Sequence, residues 1–178
     1  MKLKILNISQ NAFSGQMPSS IGSLTSLYGL FMFQNSLSGI LPSTFSNLIN
    51  VTFLDISNNA FTGSLPYVGN MVNLQQFFIY NNFFSGSIEN VFNPQLQKKV
   101  LNVDISNNAL VGLPVPPSIY NLSTLVTYAA VGCCFEISIP VEVCSLENLN
   151  VLGINIIIYT TITSSLIIII TSNGRTKN

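Results

Sequence analysis

The chain has 178 residues, of which six are basic, six are acidic and none is histidine, so its formal net charge is zero. This length favours a single domain, and the neutral charge argues against nucleic-acid binding, which calls for a basic stripe. Without histidine the chain cannot form a serine–histidine or cysteine–histidine nucleophile pair, and a zinc site is disfavoured as well.

Only 7% of the residues are charged, and the mean hydropathy is +0.50. The surface must therefore be built from asparagine, serine, threonine and aromatic side chains. This composition suits the adhesive surface of a secreted or membrane-linked protein. The alternative is a poorly soluble fragment.

A unit of about 24 residues recurs along the chain, beginning with LKILNISQNAFSGQMP at Leu3. A pattern repeated in fixed order at this period is the signature of a solenoid, because one coil cannot bury its apolar side without neighbours. The predicted coils are 1–24, 25–48, 49–71, 72–97 and a fifth that starts at Val100.

The third coil shows how each unit is built. Leu54 and Ile56 are two residues apart, so both side chains point to one face of a short strand. Asn59 follows where the backbone turns, and its amide can satisfy peptide groups that the turn would otherwise bury unpaired. Gly63 permits a backbone conformation that a side chain would hinder. Pro66 then directs the chain back along the other side.

The asparagine position recurs in every coil and defines the register of the repeat. Its occupants are Asn11, Asn35, Asn59, Asn82 and Asn108, at intervals of 24, 24, 23 and 26 residues. The changes in interval fall in return segments, where a solenoid tolerates length variation. In the sixth coil, Cys133 takes this position.

The sixth and seventh coils are degraded but still legible. Their apolar positions are held by Leu125, Tyr128 and Ala130, and then by Leu149, Leu152 and Ile154. The repeat ends at Ile157, which occupies the asparagine position and cannot hydrogen-bond through its side chain.

The C-terminal region differs in kind. Residues 156–170 are uncharged, and the run counted from Val151 has 20 residues, enough for a helix to span a bilayer. Arg175 and Lys177 follow, as a cytoplasmic stop-transfer end requires. The alternative is β-structure, which isoleucine and threonine favour. We therefore predict a solenoid over 1–155, a candidate transmembrane segment or a disordered or β-rich apolar tail over 156–172, and a basic tail over 173–178.

The unit LxxLxLSxNxFSGxLP resembles the plant-specific leucine-rich repeat of receptor-like kinases and receptor-like proteins, over roughly residues 1–155. The Ser-Gly-x-apolar-Pro half, seen at Ser14–Pro18 and Ser38–Pro42, distinguishes this class from other leucine-rich repeats. The resemblance implies a leucine-rich repeat solenoid of the α/β horseshoe class with about six or seven coils. A parallel concave sheet would lie on one side, with loops and short 3-10 turns on the convex side.

The resemblance also implies a function, namely non-enzymatic binding of a protein or peptide on the concave face. A co-receptor kinase is a further expected partner, no cofactor is expected, and the expected location is the plasma membrane or the extracellular space. Members of the family begin with a signal peptide and a cysteine-bearing cap, and neither precedes Leu3. The alternatives are a truncated non-functional receptor fragment and an extracellular inhibitor module that binds a cell-wall enzyme.

Outward-facing strand positions of neighbouring coils predict a ligand-binding strip on the concave face. Aromatic side chains dominate interface energetics, and carboxylates between them add a polar contact. The predicted ligand-binding residues are Phe31, Phe33, Asp55, Phe78, Tyr80 and Asp104. The alternative is that these aromatic side chains stack along the sheet and only stabilise it.

Three sequons, at Asn7, Asn50 and Asn121, permit N-glycosylation if the chain enters the secretory pathway. Asn7 falls on a predicted concave strand, so a glycan there would compete with a ligand. The odd number of cysteines leaves at least one of them unpaired, and the adjacent pair Cys133 and Cys134 rarely bridges without strain.

Overall fold

The computed structural model describes residues 2–135, 141–157 and 165–171. Within these residues seven strands pair in parallel in the order of the coils, and an eighth pairs antiparallel with the seventh. This first sheet contains β1 (Ile5–Asn7), β3 (Gly29–Phe31), β5 (Phe53–Asp55), β7 (Gln76–Phe78), β9 (Asn102–Asp104), β11 (Thr127–Ala130), β13 (Val151–Ile157) and β14 (Ser165–Thr171). The prediction of a leucine-rich repeat solenoid with a parallel sheet is confirmed.

A second parallel sheet, which the sequence pattern did not predict, is formed further along each coil. In the described part of the chain it consists of β2 (Ser14–Gln16), β4 (Ser36–Ile40), β6 (Ala60–Ser64), β8 (Phe83–Ser87), β10 (Ala109–Gly112) and β12 (Cys134–Phe135). The predicted short 3-10 turns are present at Ser19–Ser23, Ser43–Asn47 and Val141–Ser145, and the fifth coil has a one-turn α-helix, α1 (Pro117–Tyr120).

The two sheets pair their strands with different offsets. In the first sheet Ile5 pairs with Gly29, which is 24 positions later. In the second sheet Ser14 pairs with Ser36, which is only 22 positions later. Equivalent residues of successive coils therefore lie side by side in the first sheet but are displaced by two residues in the second.

Two positions of the unit take backbone conformations with positive φ. Gly63 has φ of +77°, and a Cβ added there would lie 2.7 Å from Cγ2 of Ile40. This agrees with the conformational role that the sequence predicts for the repeated glycine. Asn58, three residues after β5 ends, has φ of +53°, a region that asparagine tolerates better than most residues.

The core consists of apolar columns that run from coil to coil. Leu54 is 1% exposed, and the strand register places it between Leu30 and Phe77. Burying one such side chain contributes about 1.5–3 kcal/mol. Because each buried residue contacts equivalents above and below, this stabilisation belongs to the stack rather than to any single coil.

The repeated asparagines hydrogen-bond both within and between coils. The Asn59 amide nitrogen donates to the carbonyls of Met32, Ile56 and Ser57 at 2.9–3.2 Å. Its Oδ1 accepts a hydrogen bond from the backbone N–H of Leu37 in the preceding coil, at 3.0 Å. Equivalent bonds recur at Asn35, Asn82 and Asn108. Each amide thus links its own turn to the preceding coil.

In the sixth coil Tyr128 and Cys133 occupy buried positions that other residue types hold in the preceding coils. Tyr128 is fully buried, and its hydroxyl donates to the carbonyl of Pro114 at 2.6 Å. Cys133 occupies the asparagine position, where its thiol donates to the carbonyl of Ile105 at 3.4 Å. Burial raises the pKa of the Cys133 thiol to about 11, so this cysteine stays protonated and serves the fold.

The described part of the apolar tail is β-structure. Strand β13 extends the first sheet beside β11, and β14 folds back on it from Ser165 opposite Ile157 to Thr171 opposite Val151. Among the residues with described structure, no helix is both long enough and apolar enough to cross a membrane. Residues 158–164 and 172–178 lie outside the described residues, and the division of the chain at residue 155 stays a prediction.

Candidate functional site

The solvent-facing side of the first sheet carries the predicted binding residues. Leu30 and Met32 point into the core with 0% and 5% exposure, so Phe31 between them faces the other side of the strand. The same alternation places Phe78 between the buried Phe77 and Ile79. Both rings are half-buried, which leaves part of each aromatic surface free to contact another molecule.

The strand register brings four of the predicted residues into one row. Phe31 pairs with Asp55, Asp55 with Phe78, and Phe78 with Asp104. Neighbouring strands lie about 4.8 Å apart, so the row alternates aromatic and acidic side chains along roughly 14 Å of the sheet. Phe33 and Tyr80 lie two residues further along the same coils and are also half-buried. We call these six residues the aromatic strip.

Asp55 is held in place by the residue two positions later. Its Oδ1 accepts hydrogen bonds from the backbone N–H of Ser57 at 3.0 Å and from the Ser57 hydroxyl at 2.6 Å. Ser57 is expected from the strand pattern to face solvent or a partner, but it is 0% exposed. Burial raises the pKa of the Asp55 carboxyl above its ordinary 3.8, and the nearby Asp104 acts in the same direction, whereas the Ser57 hydrogen bonds oppose the shift.

Replacing Asp55 with asparagine is expected to increase stability at neutral pH. The folded-state pKa of Asp55 exceeds the unfolded value, so the free energy of unfolding falls as the pH rises from 3.8 through the folded pKa. Asparagine removes that penalty, and its amide oxygen can still accept both hydrogen bonds from Ser57. The melting temperature of the variant should exceed that of the wild type at about pH 7 and match it at about pH 3.

The matched control for this measurement is Glu89→Gln, which removes an exposed carboxylate outside the first sheet. It should leave the melting temperature nearly unchanged. An Asp55→Asn variant that melts below the wild type at neutral pH would contradict the assignment of a desolvated carboxylate.

The sequence pattern did not identify Gly29 as a neighbour of the aromatic strip. A Cβ added at Gly29 would lie 2.8 Å from the Phe31 ring, so this ring leans over the glycine of its own strand. Glycine within a strand can signal such a close approach, and this was the available clue. The neighbouring Phe53, in the same column as Gly29, packs edge-on against Tyr28 with ring centroids 5.2 Å apart.

A ladder of amide side chains borders the strip and was also not predicted. The Asn107 side-chain nitrogen donates to Oδ1 of Asn81 at 2.7 Å, and Asn81 donates in the same way to Asn58 at 2.8 Å. A Cβ at Gly132 would lie 2.3 Å from Oδ1 of Asn107, so the sixth coil cannot extend the ladder without a shift. These amides fix one edge of the surface next to Tyr80.

The three sequon asparagines are exposed. Asn7 lies in β1, where its Oδ1 accepts a hydrogen bond from the backbone N–H of Ser9. Asn50 and Asn121 lie outside the strands and donate to the carbonyls of Thr25 and Pro117.

The cysteines do not pair with one another in the described structure. Cys133 is buried, whereas Cys134 and Cys144 are exposed, and all three are free thiols. Among the described residues, no group of three or more Cys, Asp or Glu side chains could hold a metal ion.

Comparisons with known proteins agree with the repeat pattern. The family model described as Leucine Rich Repeat matches residues 2–24, 26–48 and 50–70. No curated protein matches the sequence significantly.

Solved plant receptor structures share the fold. A plant peptide hormone receptor, RGFR1 in complex with RGF2, superposes with a TM-score of 0.80 at 29% identity, covering 86% of this chain and 24% of the receptor chain. The Arabidopsis receptor kinase HAESA, in complex with the peptide hormone IDA and the co-receptor SERK1, gives a TM-score of 0.75 at 29% identity, with 83% and 24% covered.

A plant ice-binding protein also superposes, with a TM-score of 0.70 at 24% identity, over 83% of this chain and 47% of that one. This last likeness shows the fold alone. The chain spans about a quarter of the length of the two receptor chains.

Proposed function

We propose that this chain, a leucine-rich repeat protein whose solenoid matches plant receptor-kinase ectodomains over most of its own length, binds a protein or peptide ligand through the aromatic strip. The module performs no chemistry of its own, consistent with a class of repeat that is typically non-catalytic. A co-receptor kinase is a second partner of the kind proposed, since one such structure contains HAESA together with SERK1.

The observation that carries the proposal is the row Phe31, Asp55, Phe78 and Asp104 on adjacent strands. Aromatic rings that are partly buried lose little conformational entropy on binding and provide a large apolar contact area. The two carboxylates alternate with the rings, so a ligand that crosses the strands meets apolar and acidic groups in turn.

The proposed location is the plasma membrane or the extracellular space, because one solved structure that shares the fold is the ectodomain of a plant membrane receptor kinase, GASSHO1/SCHENGEN3 from Arabidopsis thaliana. Attachment to a membrane through residues 151–170 and glycosylation at Asn7, Asn50 and Asn121 belong to the same proposal. A glycan on Asn7 would stand beside Phe31, with which Asn7 pairs in the sheet, and would restrict access to the strip.

The test is a binding measurement on the full chain with Phe31→Ala and Phe78→Ala combined. Linear peptides that bind the wild-type protein are first selected from a displayed random-sequence library, and their dissociation constants are then measured by calorimetry. Because aromatic residues are the usual hot spots of interfaces, we expect the double variant to bind at least about tenfold more weakly, a loss of about 1.4 kcal/mol.

The matched control is Phe83→Ala, which removes an exposed phenylalanine from the second sheet. This variant should bind the selected peptides as the wild type does. Equal losses in the control, or no loss in the double variant, would refute binding at the strip and favour a stacking role for the aromatic residues.

A further inference from the structure

A groove lies beside the first sheet, away from the central row of the aromatic strip. It has a volume of about 460 Å³, and its walls include Lys4, Ser26, Tyr28, Asn50, Gln75 and Lys99. We call it the polar groove.

The groove follows from the register of the repeat. In three successive coils, the two residues that flank a buried apolar residue line the groove. Asn50 and Thr52, for example, flank the buried Val51. The corresponding pair around Leu74 is Asn73 and Gln75. Since coils are spaced about 4.8 Å apart, hydroxyl and amide groups repeat along the groove at that interval.

Positive charges mark its two ends. Lys4 belongs to the first coil and Lys99 directly precedes the fifth, so about four coil spacings, or roughly 19 Å, separate their strands. The Lys99 ammonium donates to Oδ1 of Asn73 at 2.8 Å, which directs it toward the wall of the groove. None of the described residues lining the groove is acidic, so the groove favours an anionic ligand.

The backbone of the groove is already paired. The N–H of Thr52 donates to the carbonyl of Tyr28, and that of Gln75 donates to the carbonyl of Thr52, both within 2.9 Å. A peptide therefore cannot add as a strand here, and the mostly polar walls offer no deep apolar pocket for an anchoring side chain. Hydroxyl and amide side chains instead suit a ligand rich in hydroxyl groups.

Tyr28 adds an aromatic surface to these polar walls. It is 44% exposed, and its edge-on contact with Phe53 supports the ring. A pyranose ring can stack its C–H face on such a phenol, and the length of one pyranose unit is close to the coil spacing. A linear sugar chain lying along the groove would therefore meet similar polar groups at each unit.

We propose that the polar groove binds a linear oligosaccharide that carries carboxylate groups. Its hydroxyls hydrogen-bond to the amide and hydroxyl side chains of the walls, and its carboxylates pair with Lys4 and Lys99. This site does not depend on the aromatic strip. Asn50 belongs to a sequon, and a glycan on it would fill the groove. Glycosylation of Asn50 and oligosaccharide binding in the groove are therefore mutually exclusive, and the test uses protein made without glycans.

The test measures binding of a linear galacturonate oligomer to the full chain by calorimetry. Lys4→Gln combined with Lys99→Gln is expected to weaken binding about tenfold, since two exposed ion pairs are lost. Lys98→Gln is the matched control, because Lys98 is adjacent in sequence but donates to the carbonyl of Pro94 and does not line the groove. It should bind like the wild type, and added salt should weaken the wild-type complex.

Three further measurements decide between interpretations. Methyl-esterified galacturonate that binds as tightly as the acid would exclude the role of the lysines. An oligoglutamate of matched length that binds more tightly would show that the groove recognises an acidic peptide instead. The combined Phe31→Ala and Phe78→Ala variant should keep its affinity for galacturonate, so failure of the peptide proposal and failure of this one remain distinguishable. Circular dichroism of each variant verifies that the repeats stay folded.

Discussion

Replacing Asn82 with leucine is expected to destabilise the protein by about 4 kcal/mol, because it leaves the buried N–H of Phe61 unpaired and removes one of the two side-chain hydrogen bonds that the carbonyls of Ile56 and Ile79 each accept. The Asn82 amide nitrogen donates to the carbonyls of Ile56 and Ile79 at 3.1 and 3.0 Å, and its Oδ1 accepts from the N–H of Phe61 at 3.0 Å. The unpaired N–H costs about 1–3 kcal/mol, and each of the two hydrogen bonds lost to a carbonyl that keeps another partner costs about 1 kcal/mol. The side chain is only 5% exposed, so water cannot replace it.

Urea denaturation followed by circular dichroism measures this loss. Asn81→Gly serves as the control, because Asn81 has φ of +54°, a conformation that glycine adopts readily. Its ladder hydrogen bonds with Asn58 and Asn107 are exposed, so water can replace them. We expect it to change the free energy of unfolding by less than about 0.5 kcal/mol. Asn82→Cys should fall between the two, since the thiol of Cys133 makes one of the same bonds in the sixth coil. A leucine variant no less stable than Asn81→Gly would show that the asparagine column does not stabilise the stack.

Tyr128 gives the second large effect. Tyr128→Ala empties a fully buried position and is expected to cost about 3–5 kcal/mol, the usual range for removing a buried aromatic ring. Tyr128→Phe keeps the ring but leaves the carbonyl of Pro114 without its hydrogen bond, and should cost about 1–2 kcal/mol. The difference between the two variants separates packing from hydrogen bonding.

The pH dependence of stability tests the same residue independently. Burial raises the pKa of Tyr128 well above its ordinary 10.0, and the Cys133 thiol adds to the shift. Because the unfolded chain ionises this phenol at lower pH than the folded chain, stability is constant below pH 10 for this group and falls as the pH rises above it. In Tyr128→Phe the remaining alkaline loss should be that of Cys133, which begins near pH 9. An unchanged alkaline loss in the phenylalanine variant would contradict the assignment.

The sequence predicts the coils well because the relevant forces act at fixed positions of the unit. A leucine at position 54 and an asparagine at position 59 have the same neighbours in every coil, so their repetition reveals their roles. The row from Phe31 to Asp104 was accessible for the same reason, since equivalent strand positions align across a parallel sheet.

The features that the sequence did not predict depend on contacts between different positions of the unit, within one coil or between neighbouring coils. Nothing in the repeat indicates that Ser14 pairs with Ser36, because this pairing follows from how two coils dock. Ser57 is buried and donates a hydrogen bond to its neighbour Asp55, whereas the alternation of strand faces predicts an outward side chain. The polar groove is lined by two columns of side chains, one on each side of the buried column that contains Val51. Each column by itself has the composition of an ordinary polar surface.

The unequal pairing offsets of the two sheets determine the long-range shape of such a chain. In the second sheet, equivalent residues of successive coils are displaced along the strand direction by two residues, or about 6.6 Å per coil. In the first sheet, equivalent residues stay aligned. Repeated many times, this shear would rotate every coil slightly relative to the last and wind the molecule into a spiral. A partner that spanned many repeats would then have to follow a helical path around the protein rather than a straight line along it.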